Sequence, residues 1–267
     1  MLKRYKLDNK GTGHVFKRKK LFRSEVSKYQ KIEIAEVNIL GKILALDDII
    51  QLSALDCDRY HETFAHVPMS NLENPTNALV IGGGDLILGK ELLKYKNLNV
   101  DLVDIDERVI DLSKIYLSDL NEFCCKDTRL NIMCKDAAEF CSLAKPKTYD
   151  IIFCDITDPH PDSPSESLVA GDSIKRYKEL LKPGGMIVCQ TDNIQIAGAY
   201  HKNIKQTFEE NFMNSGSFGI VALTLSSVFS FVWASDDIFI SKKDIQVDTN
   251  WLNDKRFEFA LNILELH

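Results

Sequence analysis

Four short apolar segments, each leading to an aspartate and separated by stretches of helical character, constrain this chain more than any other feature. Ala78-Leu79-Val80-Ile81 passes through Gly82-Gly83-Gly84 to Asp85, and Val100 to Val103 ends in Asp104. Leu130 to Cys134 leads to Asp136, and Asp150-Ile151-Ile152-Phe153-Cys154 ends in Asp155. Unbroken apolar runs suit strands buried on both faces, which occur in parallel sheets covered by helices. The alternation therefore predicts an α/β fold with a Rossmann-like, doubly wound sheet over residues 78–267. Met186 to Gln190, after the turn Lys182-Pro183-Gly184-Gly185, adds a strand, and segments near 218–225 and 228–234 should close the sheet as an antiparallel pair.

The beginning of the chain follows a different period. Gln30 to Val37 alternates polar and apolar residues, and Lys42 to Leu46 and Ile49 to Gln51 follow tight turns. This predicts a small N-terminal antiparallel β domain over residues 1–55. Lys17-Arg18-Lys19-Lys20 reads as a solvated edge strand whose charges block further pairing, the alternative being nucleic-acid contact. Residues 56–77 form a linker, with a helix capped by Asp56 and stopped at Pro68, then a turn-rich segment.

In an open parallel sheet, ligands bind beyond the carboxyl ends of the strands. Any one of Asp85, Asp104, Asp136 or Asp155 could cap a helix or close a turn. Together, with Asp158 close behind, they make an anionic cleft suited to a cationic ligand. The net charge, 33 − 39 = −6, argues against binding nucleic acid by phosphate neutralisation. No apolar run approaches the roughly 20 residues that span a bilayer, so no membrane partner is expected. The seven cysteines include no C-x-x-C pair and read as reduced thiols of a cytoplasmic protein, without a metal site.

Gly82-Gly83-Gly84 lets the backbone approach a ligand, but neither G-x-G-x-x-G nor a following Lys-Ser/Thr is present. An acid at the tip of the second strand, Asp104, is placed to accept hydrogen bonds from ribose hydroxyls. An adenosine-containing ligand without a phosphate requirement follows, which points to the S-adenosylmethionine group. Asp155 is placed to accept a proton from a nucleophile. An alkylamine of pKa near 10.4 is neutral in only about 1 molecule in 10³ at pH 7, so a base and anionic surroundings both assist its attack. Asp158 could hold a second, charged ammonium. Asp155 should stay ionised near neutrality unless burial raises its pKa strongly.

These residues resemble the polyamine aminopropyltransferases, the spermidine synthase family. The resemblance runs through Tyr29-Gln30, Leu40 to Gln51, Tyr60-His61-Glu62, Ala65 to Pro68, Ile81 to Asp85, Val103 to Asp106, Asp155 to Pro159 and Pro164 to Leu168. It implies a class I methyltransferase type of sheet. It also implies transfer of an aminopropyl group from decarboxylated S-adenosylmethionine, a co-substrate rather than a permanently bound cofactor, to an amine, with putrescine the default. By the same resemblance Asp155 is the general base, Tyr60 and Asp158 hold the acceptor, and His61 and Asp85 border the amine region. Gln30, Gly82, Gly84, Asp85, Asp104, Asp136, Ala137 and Pro164 surround the donor, with Gln51 lining the cleft. A homodimer or homotetramer built through the N-terminal sheet is implied too.

Three departures from the family pattern stand out. Leu86-Ile87-Leu88 occupies the place of a Gly-Gly pair, and His160-Pro161-Asp162-Ser163 lengthens the gate loop. Leu223-Thr224-Leu225-Ser226-Ser227 replaces a Pro-Thr-Tyr segment on the acceptor side, leaving agmatine, cadaverine, a carboxylated diamine or spermidine open as acceptors. An S-adenosylmethionine methyltransferase would share the glycines and Asp104 but would not need so many acids, and a non-catalytic polyamine or nucleoside binder would not need Asp155, Asp158 and Tyr60 together.

Overall fold

The computed structural model describes residues 1–7, 12–157, 165–222, 224 and 227–266. Five strands come first: β1 (Leu2–Lys6), β2 (Gly13–Val26), β3 (Lys31–Val37), β4 (Gly41–Leu46) and β5 (Ile49–Ser53). They pair in sequence order, and a single parallel bridge between Lys6 and Ile49 closes them into a barrel. The expected antiparallel sheet is thus present, and closure removes its open edges. The basic run lies on β2, where Arg18 reaches the Glu33 carboxylate at 3.2 Å; Lys3 meets the other oxygen of Glu33 at 2.5 Å.

Helix α1 (Cys57–Met69) follows, and it differs from expectation at both ends. Pro68 lies inside it, because proline's fixed φ is helical and in the last turn its missing N–H costs only the bond to the Phe64 carbonyl. Asp56 occupies the cap position but its carboxylate makes no cap bond. It turns instead to the backbone N–H of Thr224, at 2.6 Å.

The remaining elements are β6 (Asn77–Gly82), α2 (Ile87–Leu93), β7 (Asn99–Asp104), α3 (Glu107–Tyr116), β8 (Leu130–Cys134), α4 (Ala137–Leu143), β9 (Tyr149–Asp155), α5 (Gly171–Leu180), β10 (Leu181–Asn193), α6 (Ile194–Asn211), β11 (Asn214–Ala222), β12 (Ser227–Ser235) and α7 (Asp254–Asn262). The seven strands lie in the order β11-β12-β10-β9-β6-β7-β8. All neighbours from β10 to β8 are parallel, while β12 runs antiparallel to both β10 and β11.

The unbroken apolar runs sit at the centre of this sheet. On β6, Ala78 and Val80 face one core and Leu79 and Ile81 the other, all fully buried. On β9, Ile151 and Phe153 divide from Ile152 and Cys154 in the same way. A third core joins barrel residues Ile32, Ile34, Leu44 and Leu52 to Ile87 of α2 and Val109 and Leu112 of α3. That packing sets the barrel against the helices at the carboxyl end of β6 and β7. Among the described residues no helix is long and apolar enough to cross a membrane, and all seven cysteines are unpaired.

Candidate active site

The chain reverses its direction of winding between β6 and β9, so a crevice opens where their carboxyl ends part. Gly82 pairs with Asp155 across that point, and the N–H of Gly83 donates to the Asp155 carbonyl at 3.0 Å. Gly82 has φ +84°, and a Cβ there would stand 2.1 Å from the Asp155 carbonyl oxygen, so only glycine fits. The next turn presents Gly84, whose N–H donates to Asp104 Oδ2 at 3.0 Å. Asp104 Oδ1 accepts from Asp106 N at 2.9 Å, and Asp85 Oδ1 accepts from Ile87 N at 2.8 Å. Leu86, in the place of a family glycine, keeps the left-handed conformation with φ +71°. The conformation costs about 1 kcal/mol for a residue with a Cβ, and the fully buried Leu86 side chain offsets it by packing into the core.

Helix α1 supplies the other wall. The Tyr60 hydroxyl donates to Asp155 Oδ1 at 3.3 Å. Its ring is held edge-on by Phe64, Phe229 and Phe231, with centroids 5.3 to 5.8 Å away. One residue on, His61 Nδ1 lies 2.9 Å from the Cys57 carbonyl, which can only accept, so Nδ1 carries a proton. His61 Nε2 faces Asp85 Oδ2 at 3.7 Å.

The electrostatics follow from this crowding. Burial alone would deprotonate His61, but the Asp85 carboxylate outweighs it and raises the imidazole pKa well above its ordinary value. Burial likewise opposes the Asp85 charge, yet His61 and the Ile87 N–H hold its carboxyl below the usual range. Asp85 and His61 therefore form an ion pair. Among the described residues no such counter-charge contacts Asp155. Burial, then the nearby negative Asp85, push its carboxyl up to about 7, against the lowering pull of His61 and the Tyr60 hydroxyl. Burial thus meets the condition under which Asp155 is expected to lose its full charge near neutrality. Asp104 rises to about 6, chiefly through burial, with its two backbone donors pulling the other way.

Of the four strand-end acids, three converge. Asp136 stands apart as the N-cap of α4, exposed and accepting from Ala138 N and Glu139 N at 2.8 and 3.1 Å, with Ala137 buried beside it. Gln30 reaches the site through Asp106 rather than Asp104: its amide and the Ser27 hydroxyl donate to Asp106 Oδ2 at 3.1 and 2.6 Å. Gln51 is exposed on β5 with its amide turned to the Ile49 carbonyl, and no described contact joins it to the acids. Asp158 and Pro164, and the lengthened loop at 160–163, lie outside the described residues.

Two residues to which the sequence assigned no individual role belong to this neighbourhood. Asp106 is only 2% exposed and links the barrel to the second strand end. Gln190 is buried at the end of β10, donates to the Ile156 carbonyl just after Asp155, and accepts from Asp192 N at 3.0 Å. A glutamine closing the apolar run Met186 to Cys189 was the available signal. A separate acidic group, Asp58, Glu62 and Glu91, has carboxylate oxygens within 4.8 Å of one another. Its charges are answered within the chain. Glu91 lies 3.0 Å from Lys90, 2.7 Å from Lys94 and 2.9 Å from His66. Glu62 accepts backbone N–H groups of Asn250, Trp251 and Leu252 at 2.6, 2.8 and 2.7 Å.

Residues 57–244 match the spermine/spermidine synthase domain, and residues 5–54 match the spermidine synthase tetramerisation domain. A polyamine aminopropyltransferase of Prochlorococcus marinus is 35% identical over 213 residues, covering 79% of this chain and 74% of the relative. One from Aeropyrum pernix is 30% identical over 212 residues, covering 79% and 68%. The spermidine synthase of Thermotoga maritima superposes with a TM-score of 0.90 at 24% identity, covering 100% of this chain and 93% of that one. A spermidine synthase in complex with the transition-state analogue AdoDATO superposes with a TM-score of 0.92 at 24% identity, covering 100% and 94%.

Proposed function

The chain belongs to the spermine/spermidine synthase family, and from that premise we propose that it moves the aminopropyl group of decarboxylated S-adenosylmethionine to a diamine, with putrescine giving spermidine. The observation that carries this reading is the convergence of Asp85, Asp104 and Asp155 on one crevice, with the Tyr60 hydroxyl bonded to Asp155. Such a crevice favours cations, and both reactants are cationic.

In the proposed step the amine nitrogen's lone pair attacks the propyl carbon bonded to the sulfonium. A C–N bond forms, the C–S bond breaks, and the electron pair of that bond neutralises sulfur in methylthioadenosine. The proton lost by the amine passes to Asp155, whose raised pKa matches it to proton acceptance near neutrality. Tyr60 and Asp158 hold the acceptor, and Asp85, steadied by His61, faces the primary ammonium of the donor. Asp104 takes the ribose hydroxyls, with Gly82 and Gly84 giving close backbone approach. Gln30, acting through Asp106, completes the nucleoside wall with Asp136, Ala137 and Pro164, and Gln51 borders the cleft. The 5–54 match supports assembly as a homodimer or homotetramer through the barrel, and we place the enzyme in the cytoplasm.

Incubation with putrescine and each sulfonium donor in turn, followed by chromatography for methylthioadenosine, tests the reading. The decarboxylated donor should react. Intact S-adenosylmethionine should fail, because its carboxylate would face Asp85 and Asp155. Equal reaction with both donors, or methyl transfer from the intact one, would refute it.

A further inference from the structure

Thr224, between β11 and β12, is fastened to the start of α1 by buried hydrogen bonds. Thr224 Oγ1 lies 2.5 Å from Ser53 Oγ, and Thr224 N donates to Asp56 Oδ2 at 2.6 Å. Ser53 Oγ also accepts from Asp56 N at 3.3 Å, which leaves its own hydrogen for Thr224. Arg59 Nη1 donates to the Val221 carbonyl at 2.7 Å and so holds the strand end that enters the turn. Ser53, Asp56 and Thr224 are all 4% exposed or less.

This fastening reaches the reaction centre through one helical turn. The Asp56 carbonyl accepts from Tyr60 N at 2.9 Å, which sets the pitch of the first turn of α1. That turn aims the phenol at Asp155 over 3.3 Å, the long end of the hydrogen-bond range, where a few tenths of an ångström decide whether the bond exists. The strand leaving the turn carries Phe229 and Phe231, the rings against which Tyr60 rests. Both the backbone that carries the phenol and the surface behind it therefore depend on where Thr224 is held.

Building on the aminopropyl-transfer reading, we infer that Ser53, Asp56 and Thr224 form a latch that positions Tyr60 for the acceptor amine, so that Thr224 is a positioning residue for amine affinity. It occupies the segment where the family's acceptor-side tyrosine is missing. The latch orders the acceptor wall from behind, through α1.

Thr224→Val keeps the shape and removes the hydroxyl; Thr224→Ser keeps the hydroxyl. The Val variant should raise the amine KM about fivefold, the equivalent of one lost hydrogen bond. The donor KM should hold, and Ser should restore the parent value. In a Tyr60→Phe background the Val substitution should add nothing further, because the phenol it positions is gone. Hydrogen exchange at the Tyr60 amide should quicken in Thr224→Val and return in Thr224→Ser. Independent, multiplying effects of Thr224→Val and Tyr60→Phe would overturn the inference, as would unchanged exchange at Tyr60 or a lowered melting temperature with both KM values intact. If the parent releases no methylthioadenosine from any amine, the reading of the reaction fails, while the exchange experiment still decides whether the latch holds the turn that carries Tyr60.

Discussion

Asp155 should impose its own titration on the rate, and a comparison with Asp155→Asn isolates it. In the free enzyme its carboxyl titrates at about 7, raised by burial and by the Asp85 charge. The ionised form is the proton acceptor, so its fraction rises with pH: about 9% at pH 6, about half at pH 7 and about 91% at pH 8. A solvent-exposed aspartate near 3.9 would already be more than about 99% ionised at pH 6. The ratio of kcat/KM in the parent to kcat/KM in Asp155→Asn cancels the titration of the amine, which both enzymes share. That ratio should climb about tenfold from pH 6 to pH 8 and then level off, and at the plateau it should lie between about 10² and 10⁴. Because kcat/KM reports the free enzyme, the cationic substrates do not move the inflection. Initial rates of methylthioadenosine release at low amine, in buffers of constant ionic strength, measure it. A ratio flat across this range would show that Asp155 is not the titrating acceptor, and a ratio near 1 throughout would remove it from the reaction.

Other substitutions test the remaining parts of the site. A raised folded-state pKa means that the charged carboxylate opposes folding, a penalty absent below the unfolded value near 3.8 and complete above about 7. Asp155→Asn should therefore melt higher than the parent at pH 8 and no higher at pH 4, as calorimetry at the two pH values would show. Gly84→Ala places a Cβ 2.7 Å from Asp104 Oδ2 and 3.1 Å from Val109 Cγ1. It should weaken donor binding at least about tenfold by displacing that carboxylate, while the amine KM holds; titration with methylthioadenosine measures it. Glu62→Gln turns an NH₂ toward at least one of three backbone donors and should cost about 3 kcal/mol in denaturant unfolding. An unchanged midpoint would show that the contact between α1 and residues 250–252 carries no stability.

Much of this architecture was legible in the chain because its determinants are local. An unbroken run such as Ala78 to Ile81 leaves no polar face, so the strand must be covered on both sides, and the alternation with helices then requires parallel winding. Three glycines after that run mark a point where the chain leaves no room for a side chain, and Gly82, whose Cβ would meet the Asp155 carbonyl, stands there. The strand-end acids followed from the same arithmetic, since the carboxyl ends of parallel strands share one edge. Tertiary structure alone decided which of them work together. Asp136 Oδ1 caps its own helix, whereas Asp155 meets Tyr60 from 95 residues away. Asp56 looked like a cap and instead serves Thr224, 168 residues distant. The barrel closes through one bridge between Lys6 and Ile49 that no period-two pattern could announce. The charge state of the site lay furthest from the sequence. An aspartate's pKa depends on the water excluded around it and on the charges that the fold brings near, and neither quantity exists until the chain has folded.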